Sequence, residues 1–394
     1  MRRFILITMF LGVSKLYSQV LSNDNVIQTA VPFLEINSNG RIGGMGEIGV
    51  VSSPFYQDAG LFQNPALLSR GQKYAGICFS HMPWLKNISN DTYFTNLSGF
   101  FALDTLNSFG YNFTYFNYGD AIFTDENGNS IASNKPKEYY HQFSYCRTLS
   151  KSWSLGIAVK YIKSDFGTIV YMDSSRHSNY LNSFAVDAGF DYSHSYKISN
   201  DKIFNLNIGG SITNFGPKVS YSGDSISTEE FIPATLNLGI LVGPEFRMPE
   251  DIRINISVAY QAEKLLVPTP PILDNSGNII KGKDPNISPF KALYQSFYDA
   301  PGGFKEEMHE ILHKLGGEFR SSYKDLMYFA FRVGRYMEHE TKGNRKYSTI
   351  GFGIGLYGFT VDYRNVSSSS GLYDNNRIFA IGFKTNLDGK LFRF

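Results

Sequence analysis

The first residues in this 394-residue chain whose types and spacing suggest chemistry are His309-Glu310-Ile311-Leu312-His313. On a helix, two histidines four apart share one face and bind zinc while the glutamate activates water. Catalytic zinc needs a third protein ligand in a sheltered cleft, and the other histidines, at 81, 141, 177, 194 and 339, carry no matching signature. Zinc hydrolysis is therefore not expected. Gly44-Met45-Gly46-Glu47-Ile48-Gly49 fits G-x-G-x-x-G, but that pattern binds a dinucleotide only between a strand and a helix, and neither flanks it. Turn glycines explain it better. Asp191, Ser193 and His194 fall in one alternating segment, whose two-residue period keeps them from converging as a nucleophilic triad.

The elements available to position any such group are strands. Trp153, Leu155, Ile157, Val159 and Tyr161 alternate with Ser154, Gly156, Ala158 and Lys160, the period of a strand. The same alternation recurs over Ile252–Tyr260 and Thr349–Leu356, and 26 Tyr, 33 Phe and 37 Gly suit twisted strands and tight turns. Strands are expected near 74–83, 92–103, 107–117, 138–148, 152–163, 181–194 and 203–213, then 232–243, 251–262, 314–322, 326–337, 346–356, 359–365 and 376–387. The total is about fourteen, an even number as bacterial barrels require. Links after the second, fourth, eighth, tenth and twelfth strands are short, whereas 118–137, 164–180, 214–231 and above all 263–313, after odd strands, are long. A transmembrane barrel sorts its loops this way, with short periplasmic turns and long outer loops; a soluble sandwich or propeller has no reason to. The balance of 37 Lys+Arg against 35 Asp+Glu gives no basic footprint for nucleic acid.

Three segments depart from the alternation. Residues 1–19 combine Arg2 and Arg3, an apolar run from Phe4 to Val13, and small or polar residues through Ser18 and Gln19, which reads as a cleavable secretory signal. The run is about half the roughly 20 residues that a membrane anchor needs. In 20–72, apolar residues cluster around Asn64-Pro65 as short helical pieces, too apolar for a disordered leader and suited to filling the lumen of a barrel spanning 73–394. Gly44, Met45, Gly46, Asn64 and Pro65 are the residues expected to form this luminal plug, and Gly351, Gly353 and Gly355 on one strand face leave room for a neighbouring body such as it. In 263–313, Phe304, Met308, Ile311, Leu312 and Leu315 recur at helical spacing before Gly316-Gly317, so a surface helix is expected. Cys78 and Cys146 fall in expected strands and imply no disulfide framework.

Ile42 to Val50, with Asp58-Ala59 and Asn64-Pro65-Ala66, resembles the FadL-like outer-membrane proteins of Bacteroidetes. Met82-Pro83-Trp84-Leu85, Lys264 to Pro271, Asp299 to Glu307 and Lys342 to Tyr347 narrow the resemblance to the PorV family of the type IX secretion system. The matching blocks run from about residue 31 to the C-terminus. Where the family pattern has Asp-Ala-Arg ahead of the glycine run, this chain has Asn39-Gly40-Arg41.

The resemblance implies a fourteen-stranded outer-membrane barrel with an N-terminal luminal segment, embedded among lipid and lipopolysaccharide. It implies no cofactor. The implied role is to collect secreted cargo by its C-terminal signal domain from the translocon barrel and pass it to the surface attachment complex. On that reading the protein is not an enzyme, and its recognition surface comprises the outer loops, with Pro83, Trp84, Leu85, Pro270, Pro271 and Phe304 as candidate contacts. Trp84 has a simpler alternative, an interfacial membrane anchor. The rival functions are a FadL-type channel for small hydrophobic molecules and a lipopolysaccharide-modifying hydrolase, for which no convergent nucleophile is visible.

Overall fold

The computed structural model describes residues 25–53, 56–68, 74–124, 130–170, 176–221, 229–324, 326–368 and 371–387 except 372 and 375. The expected signal at 1–19 lies outside these residues, as do 20–24 and 69–73.

Fourteen antiparallel strands close into one barrel. They are β1 (Tyr74–Pro83), β2 (Tyr93–Ala102), β3 (Asn107–Asn117), β4 (Lys137–Thr148), β5 (Trp153–Val170), β6 (Arg176–Lys197) and β7 (Lys202–Phe215). The second half comprises β8 (Thr235–Met248), β9 (Ile252–Leu265), β10 (Leu312–Tyr323), β11 (Met327–Met337), β12 (Lys346–Leu356), β13 (Phe359–Ser368) and β14 (Arg377–Asn386). Each strand pairs with its sequence neighbours, and β1 closes on β14 from Tyr74↔Asn386 to His81↔Phe379. Closure is what makes such a sheet viable in lipid, where each unpaired backbone group costs about several kcal/mol.

Alternation decides which side chain faces which solvent. On β5, Leu155, Ile157 and Val159 point outward while Ser154, Ala158 and Lys160 are buried. On β10 to β12, Leu315, Phe319, Phe331, Val333, Ile350 and Phe352 cover the outside, while Lys314, Glu318, Arg320, Arg332 and Thr349 are buried within. An apolar exterior around a polar interior is the inverse of a soluble protein and matches a hydrocarbon surround. Aromatic rings gather near both rims: His81, Tyr93 and Tyr115 at the long-loop end, and Trp153 against Tyr192 at the short-turn end.

Two expectations need correction. Most of 164–180 is strand, because β5 and β6 remain paired from Asp165↔Tyr180 to Val170↔Arg176. A register shift between Asp165 and Gly167 interrupts the two-residue period there, so the strands project beyond the point where alternation ends. The expected surface helix before Gly316-Gly317 is present as α3, Phe304–His309, but it stops short of Ile311, Leu312 and Leu315; Leu312 onward is β10, and both glycines lie inside that strand. Gly316 serves packing: a Cβ there would meet the Met45 carbonyl at 2.6 Å. The rest of the outer loop holds a small hairpin, Ile272–Leu273 against Ile279–Lys281, and the short helix α2, Pro289–Gln295, capped by Ser288.

Candidate functional site

Residues 37–53 and 56–68 pack against inward-facing side chains and backbone of the strands. The short helix α1 (Gly40–Gly44) starts at Asn39, whose side chain accepts from the Ile42 amide and donates to Asp58 at 2.9 Å. Asn39 thus performs the capping that an aspartate would, and the departure from the family pattern is absorbed locally. The Gly46 amide donates to Thr349 Oγ1 at 3.0 Å, and Thr349 Oγ1 donates to the Gly44 carbonyl at 3.0 Å. Gly49 and Val50 amides share Gln261 Oε1, and Asn64 Nδ2 donates to the carbonyls of Val50 and Phe190, each at 2.9 Å. Met45 packs with Ile48, Val50 and Val51 on Leu241 and Ala259. Glycines in the wall make this approach possible: Gly334 faces Gly46, Gly351 faces Gly44, and Gly156 faces Pro65, each leaving no room for a Cβ.

Charges reinforce the contact at mid-lumen. Arg332 is fully buried; it donates to Glu318 at 2.6 Å, to Asp362, and to the Tyr56 hydroxyl at 3.0 Å. Arg41 of α1 lies 3.7 Å from the same Glu318 and stacks over the Tyr56 ring at 4.0 Å. Arg364 pairs with Glu47 at 2.8 Å. Buried guanidinium groups are retained at such a depth only when carboxylates and hydroxyls meet their fork of donors.

Above this layer, at the long-loop end, lies a cavity of about 490 Å³. Trp84, Tyr336, Tyr347 and Tyr373 form an aromatic wall: Tyr336 stacks on Tyr347 at 4.5 Å, Tyr347 meets Tyr373 at 5.7 Å, and Tyr373 meets Trp84 at 6.2 Å. Opposite are Val26, Ile27, Phe33 and Ile36. Arg345 brings charge to the same space, held by Glu338 at 2.8 Å and Glu35 at 3.4 Å. The outer loop closes over it through Lys342, which pairs with Glu306 at 2.6 Å and Glu310 at 3.0 Å and also donates to the Asn25 carbonyl.

The candidate contacts named from sequence separate into two groups. Trp84 is turned inward, edge-on to Phe94 at 5.6 Å, so Trp153 rather than Trp84 holds a rim position facing lipid. Pro83 ends the β1 ladder opposite Tyr93, and the Leu85 amide donates to Asn376 at 2.9 Å. Phe304, at 80% exposure, stands on the loop surface with Pro270 and half-exposed Pro271. The two histidines of the zinc-like motif do not share a helix: His309 ends α3 and stacks on His339, while His313 lies in β10 beside the Tyr260 hydroxyl at 2.7 Å. Glu310 between them is engaged by Lys264 and Lys342. Sequence reasoning missed Arg332, Glu318, Asp362 and the Tyr336–Tyr347–Tyr373 wall. The signal was available, since charges at inward positions of otherwise apolar strands mark a packed polar interior.

A closed barrel with an apolar belt and a polar interior is an outer-membrane β-barrel. Residues 19–272 match the family model described as type IX secretion system protein PorV. The chain belongs to that family. No curated protein matches the sequence. Among solved structures it is similar to the CymD monoaromatic hydrocarbon channel, with 9% identity over 89% of this chain and 97% of that one, TM-score 0.44. It is similar also to the Ralstonia pickettii toluene transporter TbuX (11% identity, 88% and 98% covered, TM-score 0.42) and to a Pseudomonas aeruginosa FadL homologue (9%, 92% and 99%, TM-score 0.39).

Proposed function

We propose that this protein is the non-catalytic cargo-binding barrel of a type IX secretion system, receiving secreted proteins by their C-terminal signal domain and carrying them from the translocon to the surface attachment complex. The observation that carries the reading is the outer mouth: an aromatic-walled cavity roofed by a loop that displays Phe290, Tyr294, Tyr298 and Phe304, all more than half exposed. Exposed aromatics beside a concave aromatic site suit the anchoring of a protein partner. Below the cavity, residues 37–68 serve as a plug. The rival hydrophobic-channel reading needs an apolar path, whereas mid-lumen is packed with Arg41, Arg332, Glu318 and Asp362.

Affinity purification from the native outer membrane with mass spectrometry tests this. Co-recovery of secreted proteins sharing a C-terminal domain, with a large barrel partner, is expected. Recovery of the barrel alone with small hydrophobic molecules would replace the reading with the channel.

A further inference from the structure

Beside the outer mouth, His309 at the end of α3 stacks on His339 at the start of the β11–β12 connection, with ring centroids 3.6 Å apart and 9° between planes. His339 also caps the single turn Glu340–Lys342: the Thr341 amide donates to its Nδ1 at 3.3 Å, and the Thr341 hydroxyl lies 2.9 Å from the same atom. An Nδ1 that accepts from a backbone amide leaves the ring proton on Nε2, so this bond selects the neutral ring. The turn it caps carries Lys342, which grips Glu306, Glu310 and the Asn25 carbonyl. The ring stack and these ion pairs together hold α3 against the β11–β12 connection.

We infer that the His309–His339 stack is a pH-sensitive clasp on the outer loop, closed while the His339 ring is neutral and loosened when it takes up a proton. A proton on His339 Nδ1 turns the acceptor of the Thr341 amide into a second donor and adds a positive charge near Lys342 and Lys346. The charged groups around the pair are Glu340, Lys342 and Lys346 on the His339 side. On the α3 side Lys305 and Glu306 lie one turn back, and Glu310 follows. Glu340 favours a proton on His339; Lys342, Lys346 and a charged His309 oppose one. Burial first, then His309, holds His339 below the usual histidine value of 6.5. A histidine whose affinity for protons falls on folding stabilises the fold above that value and loses its contribution as pH falls below it. The clasp does not depend on what docks at the mouth. Its consequence for docking, that acid frees the helix carrying Phe304, rests on the reading above.

Hydrogen exchange on the full chain in lipid nanodiscs, at pH 7.5 and 5.5 with intrinsic rates corrected, tests it. About tenfold faster exchange at pH 5.5 is expected in peptides spanning 304–312 and 339–346, with barrel strands unchanged. A double variant, His309→Phe with His339→Phe, keeps the ring stack without the titrating acceptor and should show no acid response; if it does not assemble, His339→Phe alone should lose most of the response. An acid response absent from the wild type, or retained in full by these variants, overturns the clasp. Neither result depends on cargo.

Discussion

Glu47 of the interior segment accepts a hydrogen bond from Arg364 of β13 at 2.8 Å, joining positions 317 residues apart. Arg364→Ala leaves that carboxylate buried without its partner, a change that costs about 3–5 kcal/mol. Glu47→Gln keeps an acceptor but leaves the buried Arg364 guanidinium without its counter-charge, so it should cost a comparable amount, about 3 kcal/mol. The heat at which the barrel loses its compact gel mobility checks both, and an unchanged midpoint for Arg364→Ala would show that the pair contributes nothing.

Gly334→Val drives a side chain into the backbone of Gly46, which has φ +71 and little freedom to move. Neighbouring Gly317 faces lipid, where a Cβ finds only ordinary contact with Val333 at 3.5 Å. Gly334→Val should cut the yield of folded barrel several-fold or expose Arg41 to trypsin, while Gly317→Val assembles normally. Equal yields and equal protection would remove the close packing as a requirement.

Trp84→Ala removes one end of the aromatic wall. Loss of a buried aromatic anchor at a protein interface costs about 2 kcal/mol or more, so cargo-domain binding should weaken at least tenfold. Phe304→Ser should weaken binding too, with no change in thermal stability, because its ring is 80% exposed. Unaltered affinity in Trp84→Ala would take the cavity out of cargo recognition.

Asp299, in the outer loop before α3, has its carboxyl pushed up to about 6 by burial and then by Glu307 and Glu310. A carboxyl whose folded value lies above its unfolded value of 3.8 stabilises the loop in its protonated form, and that contribution is lost as pH rises through about 6. Asp299→Asn should therefore stabilise the loop at pH 7.5, by about 1 kcal/mol, and make no difference at pH 4. Limited proteolysis within 272–298 reports this; equal cleavage of both proteins at pH 7.5 would contradict it. The direction is opposite to that of the histidine clasp, so the two are separable.

Much of the wall was legible in the sequence because lipid outside and polar packing inside impose a strict two-residue period. Tyr74–Pro83, Asn107–Asn117 and Lys346–Leu356 begin and end where alternation does. The pattern failed where a bulge changed its phase, at Asp165 to Gly167, and where outward Leu315 lent a strand a helical spacing. The site was harder to read. Trp84 was visible by type, but whether it turned to lipid or lumen depended on Phe94 and Tyr373, one across the sheet and one nearly 300 residues on. The Arg332, Glu318 and Asp362 cluster draws on three strands and acquires meaning only once the barrel closes.

The wall glycines bear on how the cell survives having this protein in its envelope. An empty bore of fourteen strands would admit water and small solutes, and an abundant barrel of that kind would make the outer membrane leaky to antibiotics and detergents. By giving up side chains at Gly156, Gly334 and Gly351, the wall lets its backbone meet that of Pro65, Gly46 and Gly44, so that no water fits between them at those three contacts. The traffic proposed for the outer mouth takes place above those contacts and does not need them to open.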